Sequence, residues 1–255
     1  MCLLVLVYKT LPGWPLVAGA NRDEAFARES LPFEVLATDG RVPVLAPRDR
    51  RHGGTWIGIN ATGLFAAITN RPGTPHEDRR SRGLLCLEAL GRRDADSARD
   101  FVDDELSRQP FNPFNLVLAD SRSAYVVSND LEAGTRIETL APGLHVVSNH
   151  GDANTVLFDE IRRRYDPVRR LADLGLDERL SALSEITTDR VTQDAQGRTI
   201  SKNNGERGTV STTLLLAPDE QLERGRLLFA DDTPFPSDFT DRSGLLADLV
   251  AREGS

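Results

Sequence analysis

The chain of 255 residues has 39% apolar and 27% charged residues, the composition of an ordinary folded protein, which excludes a disordered chain. Its net charge of -8 provides no overall attraction for nucleic acid or for an anionic membrane surface. No apolar run approaches the ~18 residues that a membrane span needs, and two cysteines are too few for a disulfide framework. We therefore expect a single domain over residues 1–255, a cytoplasmic location, no nucleic-acid partner and no membrane span. The oligomeric state is unknown at this stage.

The chain begins with a cysteine directly after the initiator methionine, and an apolar run then predicts a buried strand over residues 2–8. Removal of Met1 would make Cys2 the N-terminal residue, so that its thiol and its α-amine form a nucleophile with its own base. The amine titrates near ~8 and the thiol near ~8.5, so both lie close to working pH. The alternative is that Cys2 is a small apolar residue in a strand, as most free cysteines are.

The next elements are predicted from periodicity and turn residues. Pro12 and Gly13 mark a turn that leads to a second strand over residues 15–20. The chain is then expected to leave the sheet through residues 21–24. Residues 25–54 are rich in proline and charge, which indicates an irregular connection with one short strand.

Further strands and helices are predicted in alternating groups. Alternation and turn signals predict strands over residues 53–59, 63–69, 115–120, 124–128, 136–140, 144–148, 210–216 and 226–229. Helical periodicity predicts helices over residues 82–91, 94–108, 153–165 and 177–186, with a further turn near 168–173. Hairpins interrupted by pairs of helices favour an α+β fold with antiparallel sheets. Because several strands are apolar throughout, both faces of their sheet must be covered, as in two stacked sheets flanked by helix layers.

Several polar side chains follow predicted strands, where they would lie at the rim of a rigid sheet. The tetrapeptide Asn21–Glu24 contains Asp23, whose carboxylate could hold a terminal amine against the thiol, although this composition also suits a turn or a helix cap. Asn70 and Asn149 each follow an apolar strand. An asparagine amide can stabilise a developing oxyanion, or it can simply complete a turn. Arg207 is either a solvated loop charge or a carboxylate-binding group.

Other chemistries have little support in the sequence. The four histidines lack metal-ligand spacing, and no glycine-rich phosphate-binding loop is present, so we predict neither a metal nor a cofactor. Two basic runs, residues 79–82 and 162–164, are diluted by acidic neighbours. We expect both runs to be solvated faces, with an anion site as the alternative.

The motifs, taken in order, resemble the NRDE family, which takes its name from the tetrapeptide at residues 21–24 and includes the transport-and-Golgi-organisation-two proteins. The motifs that carry this resemblance extend over nearly the whole chain, and they are Met1-Cys2, Ala20–Glu24, Gly53–Gly58, Thr69-Asn70, Phe114–Leu116, Ser148-Asn149 and Gly208-Thr209. The resemblance implies an N-terminal-nucleophile hydrolase fold. That fold is a four-layer αββα sandwich of two stacked antiparallel sheets, which agrees with the α+β class expected from the pattern of elements.

A more distant resemblance, to penicillin V acylase and bile salt hydrolase, implies roles for single residues. Those enzymes cleave non-peptide amide bonds with an N-terminal cysteine. By this similarity Cys2 is the nucleophile, and Asp23 is the carboxylate that orients it. Asn70 and Asn149 would contact the oxyanion and the amine. Acylases of that branch have an arginine three residues before the aspartate, where this chain has Ala20. The residues that we expect to bind substrate are Asn21, Arg22, Trp56 and Arg207.

Two hypotheses of function follow. The leading hypothesis is a cysteine amidohydrolase that cleaves a linear, non-peptide C–N amide of a small molecule through a thioester intermediate, without a metal or cofactor. The alternative is a non-catalytic protein on the same scaffold that binds or traffics a small hydrophobic ligand of the lipid or haem type, since the resemblance extends to eukaryotic proteins associated with such ligands.

Overall fold

The computed structural model describes residues 3–36, 42–232 and 236–253. Met1 and Cys2 therefore lie outside the described residues, and the predicted nucleophile is not placed by the structure. Within the described part, thirteen strands form two antiparallel sheets that stack face to face. Helices cover the outer face of each sheet, so the predicted α+β fold with its αββα layers is confirmed.

The first sheet has six strands, and the ends of its central strands form the candidate site. Its strands are β1 (Leu3–Leu11), β2 (Trp14–Ala25), β10 (Gly143–Ser148), β11 (Arg207–Ala217), β12 (Arg226–Ala230) and β13 (Thr240–Asp241). Their order across the sheet is β10-β1-β2-β11-β12-β13. The sheet is therefore built around the opening hairpin, with partners on both sides that come from the second half of the chain.

The second sheet has seven strands, which lie side by side in chain order. They are β3 (Ser30–Leu36), β4 (Val44–Asp49), β5 (Ile57–Asn60), β6 (Phe65–Asn70), β7 (Phe114–Ala119), β8 (Ala124–Asp130) and β9 (Gly134–Thr139). The helices are α1 (Arg82–Leu90), α2 (Ala95–Arg108), α3 (Phe158–Tyr165), α4 (Pro167–Ala172), α5 (Leu176–Thr187) and α6 (Gly244–Glu253). Helices α1 and α2 pack on the second sheet, whereas α3, α4 and α5 pack on the first.

Strand β1 shows why its sheet is apolar on both faces. Leu4 and Leu6 are buried in the core between the two sheets. Val5 and Val7 point the opposite way, into a separate core beneath α3, α4 and α5. Because successive side chains of a strand alternate between its faces, a strand covered on both sides must be apolar at every position. The continuous apolar run at the start of the sequence has this structural cause.

The prediction that residues 21–24 leave the sheet is wrong. They remain in β2, which runs to Ala25. The reason is a second neighbour, because β11 still provides antiparallel partners, from Thr212 opposite Asn21 to Arg207 opposite Ala25. A polar tetrapeptide is thereby held on a strand at fixed positions.

The ladder between β2 and β11 contains one irregularity within this tetrapeptide. Thr209 is opposite Asp23 and Ser211 is opposite Arg22, so Val210 is an extra residue on β11. This arrangement is a β-bulge, which bends the bulged strand and redirects its side chains. All three residues of the bulged stretch are buried.

Two further strand boundaries differ from those predicted. Residues 25–54 contain two strands, β3 and β4, where one short strand was expected. Residues 53–56 are not part of a strand, since β5 begins only at Ile57. The glycines there have another purpose. Gly53 has a φ of +70°, and a Cβ on Gly54 would lie 2.3 Å from the carbonyl carbon of Gly83, so this loop packs directly against the start of α1.

Helix α3 begins later than predicted, and α6 was not predicted. Residues 153–157 are not helical, because Asn154 and Leu157 have left-handed φ values of 62° and 61°. The backbone of Asn154 instead donates to the carbonyl of Val146 in β10. Helix α6 follows the last predicted strand and packs against β3 and β4, where Leu246 and Leu249 are fully buried.

Candidate functional site

The ends of three strands meet at one rim of the sandwich. Leu3, the first described residue, pairs with Asn21 of β2 on one side and with Ser148 of β10 on the other. The hydroxyl of Thr69, at the end of β6, donates to the carbonyl oxygen of Ser148 at 3.3 Å. The residues that follow these positions are Asp23 on β2, Asn70 on β6 and Asn149 after β10. The start of β1 thus lies among the strand ends that carry three of the predicted site residues.

Asn115 of β7 fixes this rim, although sequence analysis gave it no role. Its side-chain nitrogen donates to the carbonyl of Ser148 at 3.1 Å and to that of Gly151 at 2.9 Å. Its oxygen accepts from the hydroxyl of Ser128 at 2.9 Å. Asn115 is fully buried. It therefore joins the second sheet to the turn that contains Asn149, and breaking such a buried network would cost more than one exposed hydrogen bond.

Asp23 is held by two partners, one on the neighbouring strand β11 and one in the loop that precedes β11. The hydroxyl of Thr209 donates to one carboxylate oxygen at 2.8 Å, and the ammonium of Lys202 lies 3.4 Å from the other. The Asp23 side chain is only 11% exposed. Sequence analysis missed both partners, although one signal was available, since Lys202 is one of only two lysines in the chain.

Asp23 lines a cavity of about 360 Å³, which we call the lysine cavity after Lys202 on its wall. Asn149 lines the same cavity, and its side-chain oxygen is buried without a hydrogen-bond partner among the described residues. Arg207, one of the residues expected to bind substrate, also lies here, and its guanidinium donates to Glu24 at 2.9 Å. The Arg207 side chain is 59% exposed, so this ion pair lies at the mouth of the cavity.

Arg22 lines a second and larger cavity of about 540 Å³, which we call the arginine cavity. Its guanidinium lies 4.4 Å from the ring centre of Trp56 and 3.5 Å from the carboxylate of Asp49. Asn70 is exposed and lines this cavity. Arg22 and Asp23 are neighbours on a strand, so they are expected on opposite faces, and they line different cavities. The two predicted asparagines are divided between the cavities in the same way.

Asn21 lines neither cavity. It is fully buried, and its amide nitrogen donates to the carbonyls of Thr187 at 2.8 Å and Ile200 at 3.1 Å. Its oxygen accepts from the hydroxyl of Thr212 at 3.0 Å. These bonds tie the end of α5 and the following loop to the first sheet. These bonds give Asn21 a role in packing, and its expected role in substrate binding stays a prediction.

The acidic residues beside the rim are kept ionised by arginines. Burial opposes ionisation of Glu24, but the backbone N–H of Ala25 and the charges of Arg28 and Arg207 outweigh it and lower the pKa of Glu24. Burial likewise opposes ionisation of Asp49, but the hydrogen bonds from Arg28 and from the backbone N–H of His52, together with the charges of Arg28 and Arg22, outweigh it and lower the pKa of Asp49. Both carboxylates are therefore charged at neutral pH, and they act as anchors for arginines more than as proton donors.

Metal binding and membrane insertion are two further classes of function on which the described residues bear. In residues 3–36, 42–232 and 236–253, no group of three or more His, Cys, Asp or Glu side chains is arranged to hold a metal ion. No helix in the same part of the chain is long and apolar enough to cross a membrane.

The solved structures of an acid amidase and of a bile acid hydrolase have a similar fold. The N-acylethanolamine-hydrolyzing acid amidase orthologue of Caenorhabditis elegans matches with a TM-score of 0.55 at 13% identity, over 84% of this chain and 92% of the other. A single-substitution variant of conjugated bile acid hydrolase from Clostridium perfringens matches with a TM-score of 0.51 at 13% identity, over 94% of this chain and 92% of that chain. At such low identity the likeness shows the shared fold alone.

Similarity in sequence points to another set of relatives. The Transport and Golgi organization protein 2 homologue of Bos taurus is 30% identical over 159 residues, which are 58% of this chain and 57% of that protein. The homologue of Homo sapiens is 30% identical over 131 residues, which are 49% of this chain and 47% of that protein. The chain thus matches about half the length of these curated relatives. The sequence model of the Transport and Golgi organisation 2 family, in contrast, matches residues 1–221, and the chain belongs to that family.

Proposed function

We propose that the protein is an N-terminal-cysteine amidohydrolase that cleaves a linear, non-peptide C–N amide. One observation carries the proposal: β1 begins between β2 and β10, at the rim where Asp23 and Asn149 line one cavity. Cys2 directly precedes Leu3 in sequence, so a nucleophile at this position would be one residue from that rim. The fold shared with an amidase and a bile acid hydrolase supports the same reaction class.

In the proposed reaction, loss of Met1 leaves Cys2 with a free α-amine. The amine takes the thiol proton as the sulfur attacks the amide carbonyl, and the negative charge moves to the carbonyl oxygen. When the C–N bond breaks, the leaving amine takes that proton and a thioester remains. Water then attacks the thioester, with the α-amine as general base, and releases a carboxylic acid and the free thiol. The net reaction consumes one water for each amide.

The surrounding residues receive roles that match their contacts. Asp23 would hold the α-ammonium group, because it is a carboxylate that is already fixed by Thr209 and Lys202. The oxygen of Asn149, which has no hydrogen-bond partner among the described residues, is an acceptor for an N–H, either of the terminal amine or of the scissile amide. Asn70, on the side of the arginine cavity, would donate its amide N–H groups to the oxyanion. Such a thiol must stay reduced, which suits a reducing compartment such as the cytoplasm.

The test begins with the intact mass of the purified protein. We expect a mass without Met1 and fast labelling of one thiol by an electrophile. Labelling should disappear in Cys2→Ala and persist in Cys86→Ala, because Cys86 is fully buried and burial raises the pKa of its thiol. A panel of acyl amides should then be hydrolysed by wild type and by Cys86→Ala, and Cys2→Ala should lose at least about 10³-fold in rate, since the nucleophile is removed. A retained Met1, or equal hydrolysis by Cys2→Ala, would overturn the proposal.

The hydrophobic-ligand alternative has less support from the site. The arginine cavity is lined mainly by charged and polar side chains, and so is the lysine cavity. A pocket for an apolar ligand is instead lined mostly by aliphatic and aromatic groups. We therefore propose hydrolysis of an amide with polar character.

A further inference from the structure

The arginine cavity has a second wall that the proposed hydrolysis does not use. It is formed by the segment that leads into α1, and it carries Arg79 and Arg82. Arg51, from the turn after β4, completes it. Sequence analysis expected residues 79–82 to be a solvated face. That expectation is wrong for its three arginines, Arg79, Arg80 and Arg82, which are half-buried and line a cavity.

The charge of this cavity contrasts with that of the whole protein. Six arginines line it, against three carboxylates, and the arginines are Arg22, Arg28, Arg51, Arg79, Arg80 and Arg82. The chain as a whole has a net charge of -8. The positive excess is therefore local, and a concave site with a low-dielectric wall concentrates such a field. An anion would be repelled by the net charge of the molecule and attracted by the arginines of this cavity.

The arginines near the rim already have acidic partners. Arg28 donates to Asp49 at 2.8 Å and to Glu24 at 3.1 Å, and Arg22 also faces Asp49. Their charges are therefore largely used within the protein. Arg80 is neutralised in the same way, by salt bridges to two glutamates of the helix layer, Glu88 and Glu105.

The remaining three arginines are different. Arg51, Arg79 and Arg82 form no salt bridge within the described residues. One terminal nitrogen of Arg79 donates to the carbonyl of Phe111 at 3.0 Å, and one of Arg82 donates to the carbonyl of Pro113 at 2.9 Å. Each guanidinium has five N–H donors, so one bond fixes the group and leaves most donors available. Two arginines are thus held in place and keep an unneutralised charge.

We propose that Arg79 and Arg82, with Arg51, bind an anionic oxygen group, a carboxylate or a phosphate, that belongs to the substrate. Planar guanidinium forks match both groups through paired N–H···O bonds. The anion site itself rests on the arginines alone. Only the assignment of the bound anion to a substrate rests on the proposed function. Given that function, the preferred amides carry this group on the part that enters the arginine cavity.

The electrostatics of Arg82 agree with such a site. Its burial and the nearby charge of Arg28 both lower the pKa of Arg82, and Glu24 opposes them only in part. A charge in this environment is stabilised when an anion arrives. The site is also preorganised, because His76 and Asn112 bind each other through paired backbone and side-chain hydrogen bonds of 2.9 Å and hold the outer edge of the cavity.

The test measures anion binding by the fluorescence of Trp56, which lies in the cavity wall. The chain has two tryptophans, so Trp14→Phe provides a protein in which Trp56 is the single reporter. Inorganic phosphate and acetate are titrated separately at constant ionic strength, because general charge screening must not change. Arg79→Gln, Arg82→Gln and the milder Arg51→Gln are compared with Arg163→Gln and Arg169→Gln, which remove the same charge from exposed positions outside the cavity.

We expect saturable binding of at least one of the two anions to the parent protein. The dissociation constant should rise roughly ten-fold or more in Arg79→Gln and in Arg82→Gln, since bonds to charged groups are the strong ones. It should be unchanged in Arg163→Gln and Arg169→Gln. Circular dichroism checks that each variant is folded, and Arg51→Gln tests the site without removing any fixed backbone contact. No saturation by either anion, or an equal loss in the exposed controls, would overturn the proposal. The anion with the lower dissociation constant indicates whether the site prefers a phosphate or a carboxylate.

A second measurement separates this inference from the proposed function. Two amides that differ only in a neutral or an anionic end group are offered to wild type, Arg82→Gln and Cys2→Ala. Loss of preference for the anionic amide in Arg82→Gln, with normal turnover of the neutral amide, supports the anion site. Equal use of both amides by wild type and Arg82→Gln would overturn it while hydrolysis stands. If Cys2→Ala binds the anion and none of the three proteins hydrolyses either amide, the anion site is supported and the proposed hydrolase activity is overturned.

Discussion

His145 lies in β10 with both ring nitrogens engaged inside the protein. Nε2 lies 2.7 Å from the carbonyl oxygen of Ala141, and Nδ1 lies 3.1 Å from the amide nitrogen of Asn154. These partners assign the neutral tautomer with its proton on Nε2, because a carbonyl only accepts and an amide nitrogen only donates. Protonation would turn Nδ1 into a second donor that faces a donor. Burial acts in the same direction and lowers the pKa of His145, against the smaller effect of Ala141.

This arrangement predicts a pH dependence of stability. The unfolded chain binds the proton near pH 6.5, and the folded protein binds it only at lower pH. As pH falls below 6.5, the unfolded state therefore gains protons first, and the free energy of unfolding decreases until the folded pKa is reached. Above pH 6.5 the contribution is fully present. Urea denaturation at pH values from about 8 down to about 5 measures it.

The matched variants for this prediction are His145→Gln and His76→Gln. The first should flatten the curve on the acid side of neutrality, and the second, at an exposed position, should keep its slope. Some slope remains in His145→Gln, because burial and Lys202 also lower the pKa of His150. If the free energy of unfolding depends on pH in the same way in wild type and in His145→Gln, His145 is not the source of the pH dependence.

At the scale of elements, the contact between the Gly53-Gly54 loop and α1 positions the wall of the arginine cavity that carries Arg79 and Arg82. The backbone of Thr55 donates to the carbonyl of Gly83 at 3.0 Å. A Cβ on Gly54 would come within 2.5 Å of the Leu84 nitrogen, which is backbone and cannot move aside alone. Gly54 therefore allows the loop and the helix to touch, and this contact sets the width of the arginine cavity.

Gly54→Ala is expected to destabilise the protein by about 3 kcal/mol, because the helix must shift to admit the methyl group. Gly244→Ala, in α6, is the control, since a Cβ there meets nothing within 4 Å. We expect that change to stay within about 0.5 kcal/mol of wild type. Both are measured by urea denaturation. Equal stability of the two variants would show that the loop and α1 are not in close contact.

The elements that could be predicted are those whose signal is local. β1 is apolar at nearly every position, and α2 has a capping box at Asp94 and a regular apolar face, so each could be assigned from its own residues. The end of β2 and the strands β3 and β4 could not be assigned in this way. Residues 21–25 stay extended because β11, nearly 200 positions later in the chain, pairs with them. No pattern within the tetrapeptide carries that information.

The same division applies to the candidate site. Asp23, Asn70 and Asn149 could be chosen because each belongs to a polar stretch near the end of a predicted strand. Lys202 and Thr209 could not be assigned as the partners of Asp23, since they become its neighbours only through the pairing of β2 and β11. Arg79 and Arg82 were assigned to solvent for a related reason. Their segment packs against residues 111–113, which are distant along the chain, so no local pattern indicates this contact.

At the scale of the whole molecule, the two cores share the first sheet. The core between the sheets contains Trp56, and Trp14 packs against the other core, beneath α3, α4 and α5. Leu6 and Val5 of β1 belong to the first and second core, respectively. Because one strand contributes to both, loss of either core should remove the support of the other. We therefore expect a single cooperative domain, as the sequence predicted.

The two tryptophans make this expectation measurable. In Trp14→Phe the fluorescence reports the core between the sheets, and in Trp56→Phe it reports the other core. Leu6→Ala should lower the unfolding free energy by about 3 kcal/mol, and Val5→Ala by about 2 kcal/mol. Each change should shift the urea midpoint equally for both reporters. A midpoint that moves for one reporter and not for the other would show two independently unfolding layers.

The extra residue Val210 determines which chemical group meets Asp23. Ser211 is opposite Arg22, so in a ladder without the bulge the next residue, Val210, would be opposite Asp23. Thr209 would then be opposite Glu24. Asp23 would then face a hydrocarbon and lose a hydroxyl donor. One inserted amino acid thus lets a single strand satisfy an apolar interior at one end and a charged acid at the other.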